Sequence, residues 1–147
     1  MACNCKLPSG FSTSGNLSRN NGAGELCDQP ARSPANWVNR WDSNGIFLNT
    51  INSTNPNGIN RNTKFKDIFG GSDETKFKNV LLLDNFASLV VAAYLNIASS
   101  AYVGGVTSGD ILAMWGGTYK PPSSTKTWTQ FESQNYLRYT MGMSLLP

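Results

Sequence analysis

The sequence predicts a mainly α-helical fold: a small helical domain with a long irregular N-terminal half, rich in Asn, Gly and Ser, that holds at most one short strand or hairpin. The first observation is the stretch 77–98, FKNVLLLDNFASLVVAAYLNIA, in which apolar residues recur at three- and four-residue steps. That spacing is typical of a helix buried over much of its circumference. The second observation is that helix start and stop signals flank this stretch on both sides.

Residues 1–34 form a predicted irregular arm, because Gly, Ser, Asn and Pro are frequent in them. We expect residues 35–147 to form one helical domain, since a chain of 147 residues has the size of a single ordinary domain. Ser33 suits a helix N-cap and Pro34 a first helical position, which predicts a helix from there to about Asp42.

Trp37 and Trp41 lie four residues apart in this predicted helix and therefore share one face. We expect both rings to fill the core rather than to stack on a ligand. The following segment, 44–62, repeats Asn with Gly and Pro, which predicts a long loop or small hairpin with a short strand within 46–51.

Four further segments complete the predicted helical order. Residues 65–69 form a helical turn stopped by Gly70 and Gly71, and the central helix over 77–98 follows and ends near Ser99. A capping pattern at 107–110 predicts a short helix that closes at 116–117, and a last helix is predicted over 125–139 with Gly142 just beyond its end. The apolar residues 143–147 dock on a neighbour or, as we favour, on their own domain.

The three cysteines, Cys3, Cys5 and Cys27, all lie in the first fifth of the chain. One interpretation is a disulfide from Cys3 or Cys5 to Cys27, which leaves one thiol to link two chains. A metal site would need a fourth ligand such as Asp28. Free thiols in a reducing compartment are the third alternative.

Composition argues against several classes of function. Charged residues make up 14% of the chain, the net charge is +3 and no basic run occurs, so nucleic acid is not an expected partner. The longest uncharged window, 85–109, is too polar to span a membrane, and the first 20 residues lack the apolar core of a secretory signal. If the protein is extracellular, either a leader peptide has been removed or the protein is exported by another route.

The sequence contains no histidine, which removes the commonest general base and zinc ligand. No glycine-rich phosphate loop is complete, so no cofactor is expected. A carboxylate-dependent hydrolase remains an alternative, because glycoside hydrolysis needs two acids. The acidic residues have simpler structural explanations. Asp73, Glu74 and Asp110 are expected near helix N-termini, where negative charge is favourable, and Asp84 and Glu132 are expected on solvated faces.

Several segments together resemble a family of bacterial extracellular modules. These are FKDIFG at 65–70, LVVAAYLNIA at 89–98 and VTSGDIL at 106–112. The family carries an FxxxFG turn, a helix ending in an AAxLNA-type sequence and a Thr-initiated helix, and the similarity covers about residues 63–115. Its opening motif of Cys, Gly, aromatic residues, Trp and Lys-Asn-His is matched here in part, by Cys27 and the WVNRW sequence at 37–41. The resemblance implies a secreted or surface-displayed module, often attached to larger surface proteins.

We therefore expect a non-enzymatic structural protein, extracellular or on the cell surface, that self-assembles into a homo-oligomer or filament. Its expected partners are copies of itself, with other surface proteins or glycans as further candidates. A virion structural protein, a carbohydrate-binding module and the hydrolase are the alternatives. Predicted subunit contacts combine N-terminal thiols, aromatic rings and the apolar C-terminal residues; they are Cys3, Cys5, Trp128, Tyr136, Tyr139, Leu145 and Leu146.

Overall fold

The computed structural model describes residues 31–41, 59, 62–99, 106–122 and 124–146. Within them the chain is mainly α-helical, as predicted, with six helices and one isolated antiparallel β-bridge. The helices are α1 (Pro34–Trp41), α2 (Phe65–Phe69), α3 (Phe77–Leu81), α4 (Phe86–Ala98), α5 (Ser108–Gly116) and α6 (Gln130–Thr140). Most of the predicted arm, the predicted strand within 46–51 and the side chain of Trp41 lie outside the described residues.

Helix α4 is the centre of the fold and packs against α1, α3, α5 and α6. Every residue of the run 88–96 is buried. A helix surrounded by other helices must be apolar on nearly all sides, which accounts for the run LVVAAYL within it. The prediction of a central helix buried over most of its circumference is therefore confirmed for α4.

The stretch 77–98 is two helices and not the single helix that its apolar spacing predicts. After α3, the N–H groups of Leu82 and Leu83 donate to carbonyls three residues earlier, at 3.2 and 3.0 Å. Asp84 then adopts a positive φ of 53°, which breaks the helical path. Asn85 restarts it as the N-cap of α4: its Oδ1 accepts from the Ser88 N–H, and Ser88 Oγ accepts from the Asn85 N–H, both at 3.0 Å.

The short helix α2 is fastened to the start of α3 by main-chain bonds. The Phe65 N–H donates to the Thr75 oxygen at 2.8 Å, and the Phe77 N–H donates to the Thr63 oxygen at 3.2 Å. Gly70 makes the turn between them with a φ of 80°, and Gly71 follows with 84°, so the predicted glycine stop is confirmed.

The caps of α5 follow the sequence prediction. Thr107 Oγ1 accepts from the Asp110 N–H at 3.1 Å, and an Asp110 carboxylate oxygen accepts from the Thr107 N–H at 3.0 Å. At the other end Gly117 has a φ of 78°, and the Thr118 N–H donates to the Ala113 oxygen at 2.9 Å, which is the Schellman arrangement.

Helix α6 begins later than the predicted residue 125. Thr129 is its N-cap: Thr129 Oγ1 accepts from the Glu132 N–H at 3.2 Å, and a Glu132 carboxylate oxygen accepts from the Thr129 N–H at 2.8 Å. Trp128 therefore precedes the helix. The same capping box gives Glu132, which was expected on a solvated face and is partly exposed, a structural role at the start of α6.

The start of α1 is bound to α4 by the buried side chain of Asn96, whose hydrogen bonds to Arg32 and Trp37 we call the polar clamp. Asn96 is fully buried, and its Oδ1 accepts from the Trp37 indole N–H at 3.0 Å and from the Arg32 N–H at 3.2 Å. Its Nδ2 donates to the Arg32 oxygen at 2.9 Å. One residue earlier, the Ala31 N–H donates to the Thr140 oxygen of α6 at 2.8 Å. Residues 31–33, the end of the predicted arm, are thus held against the helical core.

Tyr119 supplies a prediction on pH dependence. Burial of the hydroxyl, helped by the charge of Asp110, raises the pKa of Tyr119 from its usual 10 to about 12. Between these values the folded chain keeps a proton that the unfolded chain loses, so the free energy of unfolding falls as the pH rises from 10 to 12. Urea titrations over this range should give a smaller fall for Tyr119→Phe. Equal pH slopes for both proteins would contradict this assignment.

Candidate functional site

The acidic side chains of the described residues mostly hold the chain's own backbone or its lysines. An Asp67 oxygen accepts from the Lys64 N–H at 2.9 Å, and an Asp73 oxygen accepts from the Thr75 N–H at 2.9 Å. Glu74 accepts from Lys66 Nζ and Lys64 Nζ, each at 3.3 Å.

These contacts have electrostatic consequences. The hydrogen bonds from Lys66 and Lys64 hold the pKa of Glu74 below its usual value. The hydrogen bonds from Thr75 do the same for the pKa of Asp73. Asp110 and Glu132 occupy capping boxes. Among the described residues, no three acidic or cysteine side chains are grouped so that they would hold a metal ion.

The turn between α3 and α4 carries the most exposed large apolar side chains of the described chain. Leu82 and Leu83 expose 59% and 55% of their surface, compared with 37% for Leu112 and 38% for Phe131. We call residues 82–84 the leucine turn. Single exposed leucines are common, but two adjacent ones form a continuous apolar projection.

The origin of this projection is local. Helix α3 directs Phe77, Val80 and Leu81 into the core, where they expose at most 3%. Because the chain then leaves the helix through a tight turn, the next two leucines emerge on the solvent side. The main-chain bonds of the turn and the cap at Asn85 fix their position.

A groove of about 420 Å³ lies directly beside the leucine turn. Its walls come from the first turns of α1, from the leucine turn and from the segment after α6; the lining residues are Ser33, Pro34, Ala35, Val38, Asn39, Leu81, Leu82, Asp84 and Met143. Among these residues Asp84 alone carries a formal charge. One face of the molecule therefore presents an apolar projection next to a mostly apolar cavity.

The structure places two of the predicted contact residues inside the core. Tyr136 and Tyr139 expose 0% and 3%, and their rings are 5.9 Å apart. Because the chain itself encloses both side chains, the structure assigns them to the core instead of to a subunit contact. Trp128 is half-buried between the rings of Tyr119 and Tyr136, at 5.3 and 5.4 Å.

Leu145 and Leu146 are half-buried in a segment that docks on its own domain, which was the favoured prediction. The Leu146 N–H donates to Asn135 Oδ1 at 2.7 Å, and Asn135 Nδ2 donates to the Leu146 oxygen at 3.4 Å. Their role as subunit contacts stays a prediction. Cys3 and Cys5 lie outside the described residues, as does Cys27, the third disulfide candidate.

Trp115 and Trp128 are the described tryptophans that a carbohydrate-binding module could use, and both rings are engaged with their own chain. Trp115 packs edge-on against Phe65 at 5.0 Å and tilted against Phe86 at 5.4 Å. Trp128 is held as described above. A sugar-binding platform needs an open ring face, and neither tryptophan is among the strongly exposed apolar side chains of the described chain.

Sequence reasoning missed the leucine turn because it read the apolar run as continuous. The available signal was the pair Asp84 and Asn85 within that run, followed by Ser88 three residues after Asn85. Asn is a preferred N-cap residue and Ser88 suits the third helical position of a capping box.

Among the described residues, no helix has the length and apolar character needed to cross a bilayer. Comparison with known proteins gives no match to a family model, to a curated protein or to a solved structure. The resemblance to bacterial extracellular modules therefore depends on the quoted sequence motifs alone and stays a prediction.

Proposed function

We propose that this protein is a non-enzymatic structural subunit that associates with copies of itself, and that the leucine turn and the adjacent groove form the contact. The observation that carries the proposal is the side-by-side placement of an apolar projection and an apolar cavity on one face. A two-fold contact requires one surface to complement itself. Here the leucine turn of each copy enters the groove of the other.

The exposed leucines supply the driving force. Burying a fully exposed leucine side chain contributes about 2 kcal/mol. Leu82 and Leu83 expose 59% and 55% of their surface, so each contributes about 1 kcal/mol when a two-fold contact buries it in both copies. Association costs on the order of 4–15 kcal/mol in lost rigid-body freedom. The four leucines therefore offset part of this cost, and the walls of the groove add further apolar contact.

Low charge favours a second copy as the partner. With a net charge of +3 and 14% charged residues, two copies repel each other only weakly. Asp84, the last residue of the leucine turn, is the one charge among the described groove residues, and we assign its exposed carboxylate to the rim of the contact, where it stays hydrated. A single two-fold contact gives a dimer, and a filament requires a second contact elsewhere on the chain.

The setting that we propose is extracellular or on the cell surface, as the motif resemblance implies. The structural partners of the acidic side chains support a non-enzymatic role. Copies of the chain are the proposed partner, and no observation on the described surface favours the virion, sugar-binding or hydrolase alternatives over self-association.

Light scattering over a range of protein concentrations tests the proposal. We expect the wild-type protein to exceed the monomer mass as concentration rises, and Leu83→Asp to remain a monomer, because a carboxylate at the centre of the contact would be buried without a partner. Electron microscopy of the same samples distinguishes closed oligomers from filaments.

The matched control is Leu112→Asp, which makes the same change at an exposed leucine on α5. It should associate like the wild type. A wild-type protein that stays monomeric at every concentration would refute the proposed function. Equal disruption by the two aspartate variants would refute the assigned contact.

A further inference from the structure

The segment 143–146 contributes a wall to the groove although it follows the last helix. It leaves α6 at Gly142, which has a φ of 73°. The Met143 N–H then donates to the Arg138 oxygen at 2.8 Å, and Met143 lines the groove together with residues of α1 and of the leucine turn. The segment therefore reaches the proposed contact through one side chain.

Two residues of α6 hold this segment by its main chain. The amide of Asn135 binds both the N–H and the carbonyl of Leu146, and Arg138 Nε donates to the Ser144 oxygen at 2.6 Å. Asn135 is fully buried, so its amide has a fixed orientation. Contacts to main-chain atoms set the path of a segment whatever its side chains are.

From this geometry we infer that Asn135 is a positioning residue for self-association: it holds Leu146, and thereby the far end of the segment whose first residue, Met143, lines the groove. The inference rests on the proposed function and adds a core residue that acts on the contact from outside it. Asn135 itself lies in the core and touches no second copy. Its effect on association must therefore pass through residues 143–146.

The test compares the dissociation constants of single and double variants by sedimentation equilibrium. Met143→Ala shortens the wall but keeps the main-chain clamp, and we expect it to weaken association about tenfold. Asn135→Ala removes both hydrogen bonds to Leu146 but leaves those of Arg138 to Met143 and Ser144, so we expect it to weaken association by a smaller factor. Because both changes remove the same wall, the double variant should associate no more weakly than Met143→Ala by itself.

Ser144→Ala is the matched control, since Ser144 contributes its main-chain oxygen to Arg138 and its side chain is exposed. It should leave the dissociation constant unchanged. Near-UV circular dichroism establishes that each variant is folded. Should Asn135→Ala fail to fold, the inference is overturned, because Asn135 is then required for the fold itself.

Three further results would overturn the inference: wild-type association in Met143→Ala, wild-type association in folded Asn135→Ala, or full additivity in the double variant. If Leu83→Asp abolishes association while Met143→Ala does not affect it, the inference fails and the proposed function stands. If the wild-type protein never associates, both fail.

Discussion

Replacing Asn96 by alanine is expected to lower the free energy of unfolding by about 3 kcal/mol, because three hydrogen bonds of roughly 1 kcal/mol each are lost. The Trp37 indole N–H and the Arg32 N–H both lose their Asn96 acceptor. Asn96 is fully buried and these partners lie at the junction of α1 and α4, where water does not readily replace the amide. Urea denaturation followed by far-UV circular dichroism measures the change.

Two further variants separate hydrogen bonding from packing. Asn96→Leu fills a similar volume without polar atoms and should be about as destabilising as alanine, since the Arg32 and Trp37 donors stay unsatisfied. Asn36→Ala, on an exposed position of α1, should change stability by less than about 0.5 kcal/mol. A stable Asn96→Leu variant would show that the amide makes no net contribution.

Local signals in this sequence predict helix ends well. Ser33 before Pro34, the pair Thr107 and Asp110, and Gly117 each act within one turn of chain, so their residue types are enough to place a helix end. The Ser33 hydroxyl oxygen does accept the Asn36 N–H at 3.2 Å. The caps of α1 and α5 therefore agree with the structure.

The missed break at the leucine turn has a different cause. Apolar spacing predicts which residues share a face of a continuous helix. In this sequence the spacing is maintained across the break, so it does not reveal that the helix ends. The decisive event is a positive φ at Asp84, a residue type that tolerates this conformation better than most but adopts it in few places. In the sequence, Asp84, Asn85 and Ser88 together mark it.

The candidate surface was harder to predict than the helices because burial depends on distant parts of the chain. Tyr136 and Tyr139 are suited to a core and to an interface alike, and only the packing of α6 against α4 and α5 shows that they are enclosed. Leu82 and Leu83 lie within the apolar run 77–98 and are nevertheless exposed. Their exposure follows from where α3 ends.

Replacing Trp37 by alanine should destabilise the fold still more, by about 4 kcal/mol, as expected for deleting a large buried aromatic side chain. Trp37 is fully buried, and the Arg32 guanidinium lies 5.4 Å from its ring centre. The substitution removes apolar contact, the indole hydrogen bond to Asn96 and this cation–π contact together. A domain of ordinary stability, about 5–15 kcal/mol, would lose a large share of it.

Trp37→Phe distinguishes these contributions, since it keeps an aromatic ring in the core but has no N–H to donate. It should cost less than Trp37→Ala, and its effect should overlap with that of Asn96→Ala because both remove the same 3.0 Å hydrogen bond. The double variant should therefore be less destabilised than the sum of the single ones by about 1 kcal/mol. If the two destabilisations measured by chemical denaturation are strictly additive, the indole and the amide stabilise the α1–α4 junction independently. The hydrogen bond between them would then make no contribution of its own to stability.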